Sequence, residues 1–425
     1  MSREKGHTLI GNSGGMINCR RVTSSDSKWA VSLTVDVAFV ILDKLLEPID
    51  HVRFAAICKL WHSFAKHYNH TTRRWPKLLP PMLILPGDQD LIYSLSEGKV
   101  YHKINLAMPR FNYHSARRYV ACGNGWLATM HYYGLDSNIL LLNPFTRVTH
   151  LLGCRGWRLG RSTKLEQTRM IPERKQAPKL ILFGDPSVNG DNSFMVVAFY
   201  TTDSTLGFIR GGQSFWSSIE TMEQYAITDA IFYKGQVYAV DKNLGRIVSF
   251  DVKTCTSGNS LRAKILNNTY MCSSSHSYLV ESTKGELLHV RRFLKVQREW
   301  GQLTMPVTFT FKVYKLVFDD NGYVVQQVEL KTLGDETLFV GDNQSMSVLA
   351  SSFSWCRPNS IYYTSDSITV EDDYRNFNSC CQCDMGIFNL EEGTTTPLQC
   401  YPQHSSEEYR LEPATWILPP INGLC

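Results

Sequence analysis

Three cysteines near residue 380 form the densest group of thiols in this 425-residue chain. Cys380, Cys381 and Cys383 would supply three metal ligands, whereas a structural zinc site needs four and commonly uses cysteine pairs separated by two to four residues. The nearest further ligands are Cys400 and His404. Because adjacent side chains in a strand point to opposite faces, this spacing favours free thiols over a metal site.

Motifs for enzymatic chemistry are incomplete. Residues 212–216, GQSFW, lack the closing glycine of a serine nucleophile elbow. The sequence contains neither a phosphate-binding loop ending in Gly-Lys-Ser/Thr nor a His-Glu-x-x-His zinc motif. Acidic pairs such as Asp319-Asp320 and Asp372-Asp373 lie in segments with turn composition, and catalysis by two carboxylates would require them to meet in a cleft. We therefore expect a non-catalytic protein without a cofactor or a metal ion.

Composition and charge indicate which kinds of partner, such as nucleic acids or membranes, the chain is expected to bind. The formal net charge is +5, which does not require a nucleic-acid partner. Basic residues cluster at 155–179, a run that we interpret as a solvated loop, with binding to an acidic partner as the alternative. The opening residues lack the apolar core of a secretory signal, and no run reaches the ~18 apolar residues of a membrane span. We expect an intracellular protein, cytosolic or nuclear, with reduced cysteines and no membrane partner.

The segment 29–68 predicts a small helical unit. It follows the polar segment 1–28, which we expect to be disordered. Asp36 is positioned to cap a first helix that Pro48 ends, and Asp50 is positioned to cap a second helix.

The two predicted helices carry more apolar surface than the unit can bury. Helical spacing gives two apolar stripes in each helix. Those of the first helix are Val37, Ile41 and Leu45, and Phe39, Leu42 and Leu46; those of the second are Phe54, Ile57, Cys58 and Trp61, and Trp61, Phe64, Ala65 and Tyr68. A surface helix of a self-contained domain shows a single apolar stripe, and about forty residues are too few to bury more. The helices should therefore dock either on the rest of this chain or on another protein.

The pattern changes to short strands at residue 82, after a basic and proline-bearing connector at 69–81. Runs of aromatic and β-branched residues alternate with Gly, Asn, Asp and Pro. Twelve such runs begin at residues 99, 125, 138, 179, 194, 236, 246, 287, 311, 323, 360 and 385.

A faint internal repeat has about four strands in roughly 40–55 residues, which is typical of propeller blades. We predict a small all-α N-terminal unit and a large all-β domain at 82–419, which is a β-propeller of about six blades. A pair of β-sandwiches is the alternative fold, and a propeller hydrolase is the enzymatic alternative.

The helical segment resembles an F-box. Members of that family combine an early Trp, a Leu-Pro pair before an Asp, an apolar helix ending in Leu, and Cys-Lys-x-Trp after a second capped helix. The matching residues are Trp29, Leu33, Asp36, Val37, Ile41, Leu45, Asp50, Phe54, Ile57, Cys58, Lys59 and Trp61. Thr34 stands where the family usually has Pro, which would pre-set the entry into the helix.

The β region resembles plant F-box proteins that carry a C-terminal domain of unknown function 295, often called F-box/kelch-like proteins. Landmarks of that family occur in its order across most of residues 80–395: MLILPGDQD (82–90), ACGNGWLATM (121–130), LLNPFTR (141–147), DAIFYKGQVYAVD (229–241), FVGDNQSMSVLAS (339–351), CRPNSIYYTSD (356–366) and DMGIFNLEEG (384–393). Gly125-Trp126-Leu127 matches the family, whereas Cys122-Gly123-Asn124 replaces the serines that usually precede it.

This resemblance implies the substrate-recognition subunit of a Skp–cullin–F-box E3 ubiquitin ligase. The F-box would bind a Skp-type adaptor and, through it, a cullin–RING ligase, while the β domain would bind the protein to be ubiquitylated. The candidate adaptor-binding residues are Leu33, Val37, Ile41, Leu45, Phe54, Ile57 and Trp61. The alternative is a propeller binding module with a degenerate F-box that acts as a scaffold or decoy.

Overall fold

The structure is a computed structural model. It describes residues 33–45, 48–72, 81–85, 91–101, 120–154, 179–187, 194–199, 206–220, 227–250, 261–267, 274–366, 384–398 and 414–418, with gaps of one to three residues inside some ranges. The segment 1–28, the cysteines at 380, 381 and 383, and nearly all of the basic run 155–179 lie outside these residues.

In the part of the chain that the structure describes, three helices precede the β region: α1 (Val35–Lys44), α2 (Pro48–Ala55) and α3 (Lys59–Thr72). The prediction that Pro48 ends α1 is wrong, because Pro48 is the first residue of α2. Proline is tolerated there because the first N–H groups of a helix have no intrahelical acceptor. Asp36 and Asp50 lie inside the first turns rather than at the caps, and a carboxylate there still interacts favourably with the helix dipole.

The second predicted helix is divided into α2 and α3. The Ile57 N–H bonds to the Phe54 carbonyl in a tight turn, and the Cys58 carbonyl accepts the His62 N–H to begin α3. Helical spacing continues through this break in the sequence, so periodicity alone did not reveal it. α3 also continues to Thr72, four residues beyond the predicted end of the helical unit.

The β region is a six-bladed β-propeller, built from six sheets of four or five strands. Blades 1 to 3 contain, respectively, β1 (Met82–Leu85), β2 (Leu91–Ser94), β3 (Lys99–Tyr101) and β28 (Thr415–Ile417); β4 (Val120–Gly123), β5 (Trp126–Tyr133), β6 (Asp136–Leu142) and β7 (Thr149–Cys154); and β8 (Lys179–Phe183), β9 (Met195–Phe199), β10 (Leu206–Arg210), β11 (Ser217–Glu220) and β15 (Leu261–Arg262).

Blades 4 to 6 contain, respectively, β12 (Ile227–Tyr233), β13 (Gln236–Asp241), β14 (Ile247–Phe250) and β16 (Lys264–Ile265); β17 (His276–Glu281), β18 (Leu287–Lys295), β21 (Val307–Phe318) and β22 (Val324–Leu330); and β23 (Glu336–Val340), β24 (Met346–Leu349), β25 (Ser360–Tyr363), β26 (Gly386–Asn389) and β27 (Thr394–Pro397). A separate two-stranded ribbon joins β19 (Arg298–Glu299) to β20 (Gln302–Leu303). A short 3₁₀ helix, Ala350–Ser352, follows β24.

The innermost strands of the blades are β28, β4, β8, β12, β17 and β24, which contact one another from blade to blade. Each of the twelve strand runs predicted from the sequence overlaps a strand in the described residues. Hydrophobic clusters fill the spaces between blades 2 and 3, 3 and 4, 4 and 5, 5 and 6, and 6 and 1. Because both faces of a blade are covered, strands such as β8 and β9 are buried at every position instead of alternating.

The ring is closed by pairing between distant parts of the chain. β28 runs antiparallel to β1, with Trp416 opposite Leu83. The Trp416 side chain is fully buried, and its ring centroid lies 5.2 Å from that of Phe339 in blade 6. β28 therefore joins blade 1 by hydrogen bonds and blade 6 by packing.

Replacing Trp416 with Ala should lower the free energy of unfolding by about 3–5 kcal/mol, because it leaves a large cavity at the closure. Urea unfolding measures the change. It is monitored by far-UV circular dichroism, because the substitution itself would alter tryptophan fluorescence. Val325→Ala is the control, because Val325 is 61% exposed on β22. A Trp416→Ala protein as stable as the control variant would contradict the structural role of this closure.

Blade 5 buries a histidine that is held neutral. His289 is fully buried in β18, with Nδ1 3.1 Å from Oε1 of Gln327 and Nε2 3.2 Å from Oγ of Ser277. An amide oxygen only accepts, so Nδ1 carries the proton and Nε2 accepts from the hydroxyl. Burial lowers the pKa of His289 to about 4.

This histidine should make the protein less stable in acid. In the unfolded chain its pKa is about 6.5, so below that pH the unfolded state binds the proton more readily than the folded state. The free energy of unfolding should therefore fall by about 3 kcal/mol through His289 as the pH drops from 6.5 to 4. Urea titrations should show a shallower pH dependence for His289→Gln than for the wild type, and no such change for the exposed His62→Gln. Equal slopes for all three proteins would contradict this assignment.

Candidate functional site

The three helices form a core of their own. Its buried members are Ala38, Leu42, Phe54, Ala55, Trp61, Ala65 and Tyr68. The rings of Phe54 and Trp61 lie 4.3 Å apart, and the Tyr68 hydroxyl donates to Oδ1 of Asp43 at 2.5 Å. Every described member of this core comes from residues 33–68 and none from the propeller. The helices are therefore not a cap whose apolar side chains are buried by the blades.

The helical unit also has an exposed apolar set, which consists of Val35, Val37, Val40, Ile57 and Leu60. Val37, Val40 and Ile57 are 49%, 56% and 54% exposed. These five side chains are nearly half of the eleven large apolar residues exposed in the described part of the chain. The concentration of exposed apolar side chains in so small a unit is the feature expected of a surface that binds another protein.

The structure places the seven sequence-predicted adaptor-binding residues in three environments. Val37 and Ile57 are exposed. Leu33, Ile41 and Leu45 are half-buried against the helical core. Phe54 and Trp61 are buried within it, at 4% and 5% exposure.

Val40 and Leu60 are exposed but were absent from that set. Val40 lies three residues after Val37, on the side of α1 away from the buried Ala38 and Leu42. Leu60 lies in the first turn of α3, which begins at Lys59, and is 37% exposed. The break between α2 and α3 changes the helical phase, which separates Ile57 from Phe54 and Trp61.

An ion pair connects the helical unit to the propeller. Arg53 in α2 donates to Oδ1 of Asp50 at 3.1 Å and to Oε1 of Glu97, in the turn between β2 and β3. The pKa of Arg53 is raised, chiefly by its hydrogen bond to Glu97. This contact places α2 beside the outer part of blade 1.

A buried ion pair lies where the innermost strands converge. Nζ of Lys179 is 2.8 Å from Oδ1 of Asp229, and both side chains are almost wholly buried. Oδ2 of Asp229 accepts the Leu279 N–H at 2.9 Å and the Ser345 hydroxyl at 3.1 Å. Lys179 also donates to the Gly341 carbonyl at 3.2 Å. The pair thus links blades 3, 4, 5 and 6.

The register of β12 explains how Asp229 reaches this position. The pairing of β12 with β13 shifts between Ile227 and Asp229, and such a bulge re-aims a side chain. Burial raises the pKa of Asp229, and the charge of Lys179 opposes this shift.

A second cluster of charges surrounds Arg292 in β18. Its guanidinium donates to Oδ2 of Asp366 at 2.9 Å and to Oδ2 of Asp384 at 2.8 Å. The Tyr278 hydroxyl also donates to Asp366, and the Thr308 hydroxyl donates to Asp384 at 2.6 Å. The carboxylates that converge here are thus paired with a cation that cannot act as a base.

These networks bear on metal binding and catalysis. In the described ranges, no group of three or more His, Cys, Asp or Glu side chains is arranged to hold a metal ion. The carboxylates of Asp229, Asp366 and Asp384 are all engaged in ion pairs. Their arrangement favours a structural role in holding blades together.

A match to a family model identifies the propeller. Residues 92–389 match the model of the KIB1-4 β-propeller, which covers well over half of the chain. The chain belongs to the KIB1-4 β-propeller family. None of the helices in the described part of this family member is long and apolar enough to cross a membrane.

Relatives of this KIB1-4 propeller chain include F-box proteins of Arabidopsis thaliana. F-box protein At2g17690 is 22% identical over 84% of this chain and 92% of its own length. F-box protein At4g35733 is 24% identical over 76% of this chain and 86% of its own length. Among solved structures, a quinonprotein alcohol dehydrogenase-like protein from Bacteroides thetaiotaomicron is 8% identical over 80% of this chain and 78% of that chain, with a TM-score of 0.39, which supports no argument about function.

Breaking the buried ion pair should destabilise the propeller strongly. Lys179→Met leaves a buried carboxylate unpaired, and Asp229→Asn leaves a buried ammonium unpaired, so each should cost about 3–5 kcal/mol. The double variant should cost less than the sum of the two, because neither charge remains. Urea unfolding of the four proteins measures this coupling.

The surface pair Lys331–Glu329 provides the control, because Lys331 is 81% exposed. Lys331→Met should change the free energy of unfolding by less than about 1 kcal/mol. Strict additivity of Lys179→Met and Asp229→Asn would show that the two buried side chains do not interact.

Proposed function

We propose that this chain is the substrate receptor of a Skp–cullin–F-box ubiquitin ligase. In this proposal, the helical unit is an F-box that binds a Skp-type adaptor, and the propeller binds the protein to be ubiquitylated. The observation that carries it is the exposed apolar set on helices whose core is separate from the propeller. The F-box relatives in Arabidopsis thaliana and the resemblance to plant F-box/kelch-like proteins support the same function.

In this proposal, we assign the candidate adaptor-binding residues different roles according to their burial. Val37 and Ile57, together with Val40 and Leu60, are the residues that would contact the adaptor directly. Leu33, Ile41 and Leu45 would contribute their exposed edges to the contact, while Phe54 and Trp61 hold the three helices together. Burying each large apolar side chain in an interface contributes about 1.5–3 kcal/mol before the costs of association.

The proposed receptor performs no chemistry of its own. Transfer of ubiquitin would occur on the RING subunit and its charged conjugating enzyme. This chain would raise the effective concentration of a substrate lysine near the thioester, which is a proximity effect. Its place of action would be the cytosol or the nucleus.

Thr34 favours a second candidate, in which the F-box is degenerate and the chain is a scaffold or decoy. Thr34 precedes α1 with φ −81° and ψ 157°, and its side chain makes no capping hydrogen bond. This φ is close to the value that proline fixes, so Thr34→Pro fits the backbone. A scaffold would bind a substrate without recruiting a cullin.

Adaptor binding should depend on the exposed side chains. Val37→Glu and Ile57→Glu should each weaken binding to a plant Skp-type adaptor by roughly 100-fold, because a charge would be buried without a partner. Biolayer interferometry on the purified full chain measures the dissociation constants. Val325→Glu, at an exposed valine of β22, is the matched control and should bind like the wild type.

Two results would contradict the proposal. One is adaptor binding by Val37→Glu and Ile57→Glu that equals that of the control. The other is failure of both the wild type and Thr34→Pro to bind any plant Skp-type adaptor, which would leave the scaffold role in its place.

A further inference from the structure

A pocket of about 310 Å³ opens where the innermost strands of three blades meet. Its walls are Ile231 and Phe232 of β12, Glu281 at the end of β17 with the two residues that follow it, and residues 344–347 at the start of β24. This volume lies at the small end of the range for ligand sites and suits one or two side chains of a peptide.

The hydroxyl groups of the lining already form hydrogen bonds with other groups of the protein. The Ser345 hydroxyl donates to Asp229, and the Ser347 hydroxyl donates to the Glu281 carbonyl at 2.6 Å. The Thr283 hydroxyl donates to Glu336, and Oγ of Ser282 accepts two backbone N–H groups. These hydroxyls hold the wall in shape and are not free to select a ligand.

The charged group of the lining is the carboxylate of Glu281. It is exposed, and it makes no hydrogen bond with any other residue that the structure describes. Lys234 interacts with it only electrostatically, and the Lys234 ammonium lies 5.0 Å from the centroid of the Tyr233 ring. The Glu281 carboxylate, which shares the lining with the apolar side chains of Phe232 and Met346, can therefore accept hydrogen bonds from a ligand.

Gln344, another residue of the lining, lies close to blade 2. A side chain at position 123, in blade 2, would collide with Gln344, so Gly123 leaves the space that this glutamine occupies. The side chain of Gln344, which is part of the lining, thus extends towards Gly123 in blade 2.

The chemistry of this lining distinguishes between classes of ligand. Among the residues that the structure describes, the lining contains a carboxylate and neither Arg nor Lys, so it would repel a phosphate or an acidic side chain. A basic side chain fits, because its aliphatic stem can lie on Phe232 and Met346 while its cation reaches Glu281. Arginine fits better than lysine, because its planar guanidinium stacks on an aromatic ring and forms paired hydrogen bonds with a carboxylate.

We infer that this pocket, which we name the Glu281 pocket, binds an arginine side chain of the substrate protein. This inference rests on the proposed receptor function and specifies what the propeller recognises. Phe232 and Met346 would hold the stem of the arginine, and Glu281 would select its charge.

A library of random twelve-residue peptides displayed on phage is the probe. It is selected on the full chain in complex with its adaptor, in wild-type and Glu281→Gln forms. The wild type should enrich peptides with arginine at one fixed position, and Glu281→Gln should lose that preference. Glu329→Gln is the matched control, because Glu329 lies in the same blade outside the pocket and should keep the preference.

A double-mutant cycle on one enriched peptide then tests the contact itself. Changing its arginine to glutamine should weaken binding to the wild type by about tenfold or more and should have almost no effect on Glu281→Gln. Enrichment of acidic peptides, absence of enrichment, or an equal loss on both proteins would overturn the inference. Adaptor binding is measured on the same samples. Loss of adaptor binding would contradict the receptor function, whereas loss of the arginine preference alone would contradict only the role of the Glu281 pocket.

Discussion

The propeller depends on covering both faces of every sheet. Strands such as β8 and β9 carry buried apolar side chains at each position, so an isolated blade would expose two apolar faces. Each described space between blades is filled by side chains from the two blades that border it. Only a closed ring satisfies this requirement for all six sheets at once, and the pairing of β28 with β1 closes it.

Closure also brings charged side chains together at the centre. Lys179 and Asp229 are fifty residues apart in sequence and come from different blades, yet their charged atoms lie 2.8 Å apart. Removal from water is costly for both charges, and the cost is offset by mutual attraction and by the N–H of Leu279 and the Ser345 hydroxyl. The same convergence of strands forms the wall of the Glu281 pocket. The polar centre is thus a product of the ring and cannot form blade by blade.

Local composition made the strands and the approximate blade number predictable. Runs such as QVYAVD are rich in β-branched and aromatic residues. The Lys234–Gly235 turn before this run, with φ values of 47° and 85°, forms the tight hairpin between β12 and β13. Closure was not predictable, because β28 has three residues and no period of its own. The Glu281 pocket was not predictable either, since three distant segments form it.

The helical unit, like the propeller, could be predicted from the sequence only in part. Its excess of apolar residues was evident from the sequence, and five such side chains are exposed. Which ones are exposed depends on the break after Ala55, where two tight backbone hydrogen bonds interrupt a pattern that keeps helical spacing. Phe54 and Trp61 therefore meet in the core, although they lay on one predicted stripe with Ile57.

The position of β28 in the chain has a consequence for biosynthesis. The helical core is complete once Tyr68 has left the ribosome, whereas blade 1 lacks its innermost strand until Thr415–Ile417 follow. At about 5–20 residues per second, the interval is roughly 20–70 s. During that time the ring stays open, and the edge of β1 that pairs with β28 in the finished protein has no partner strand.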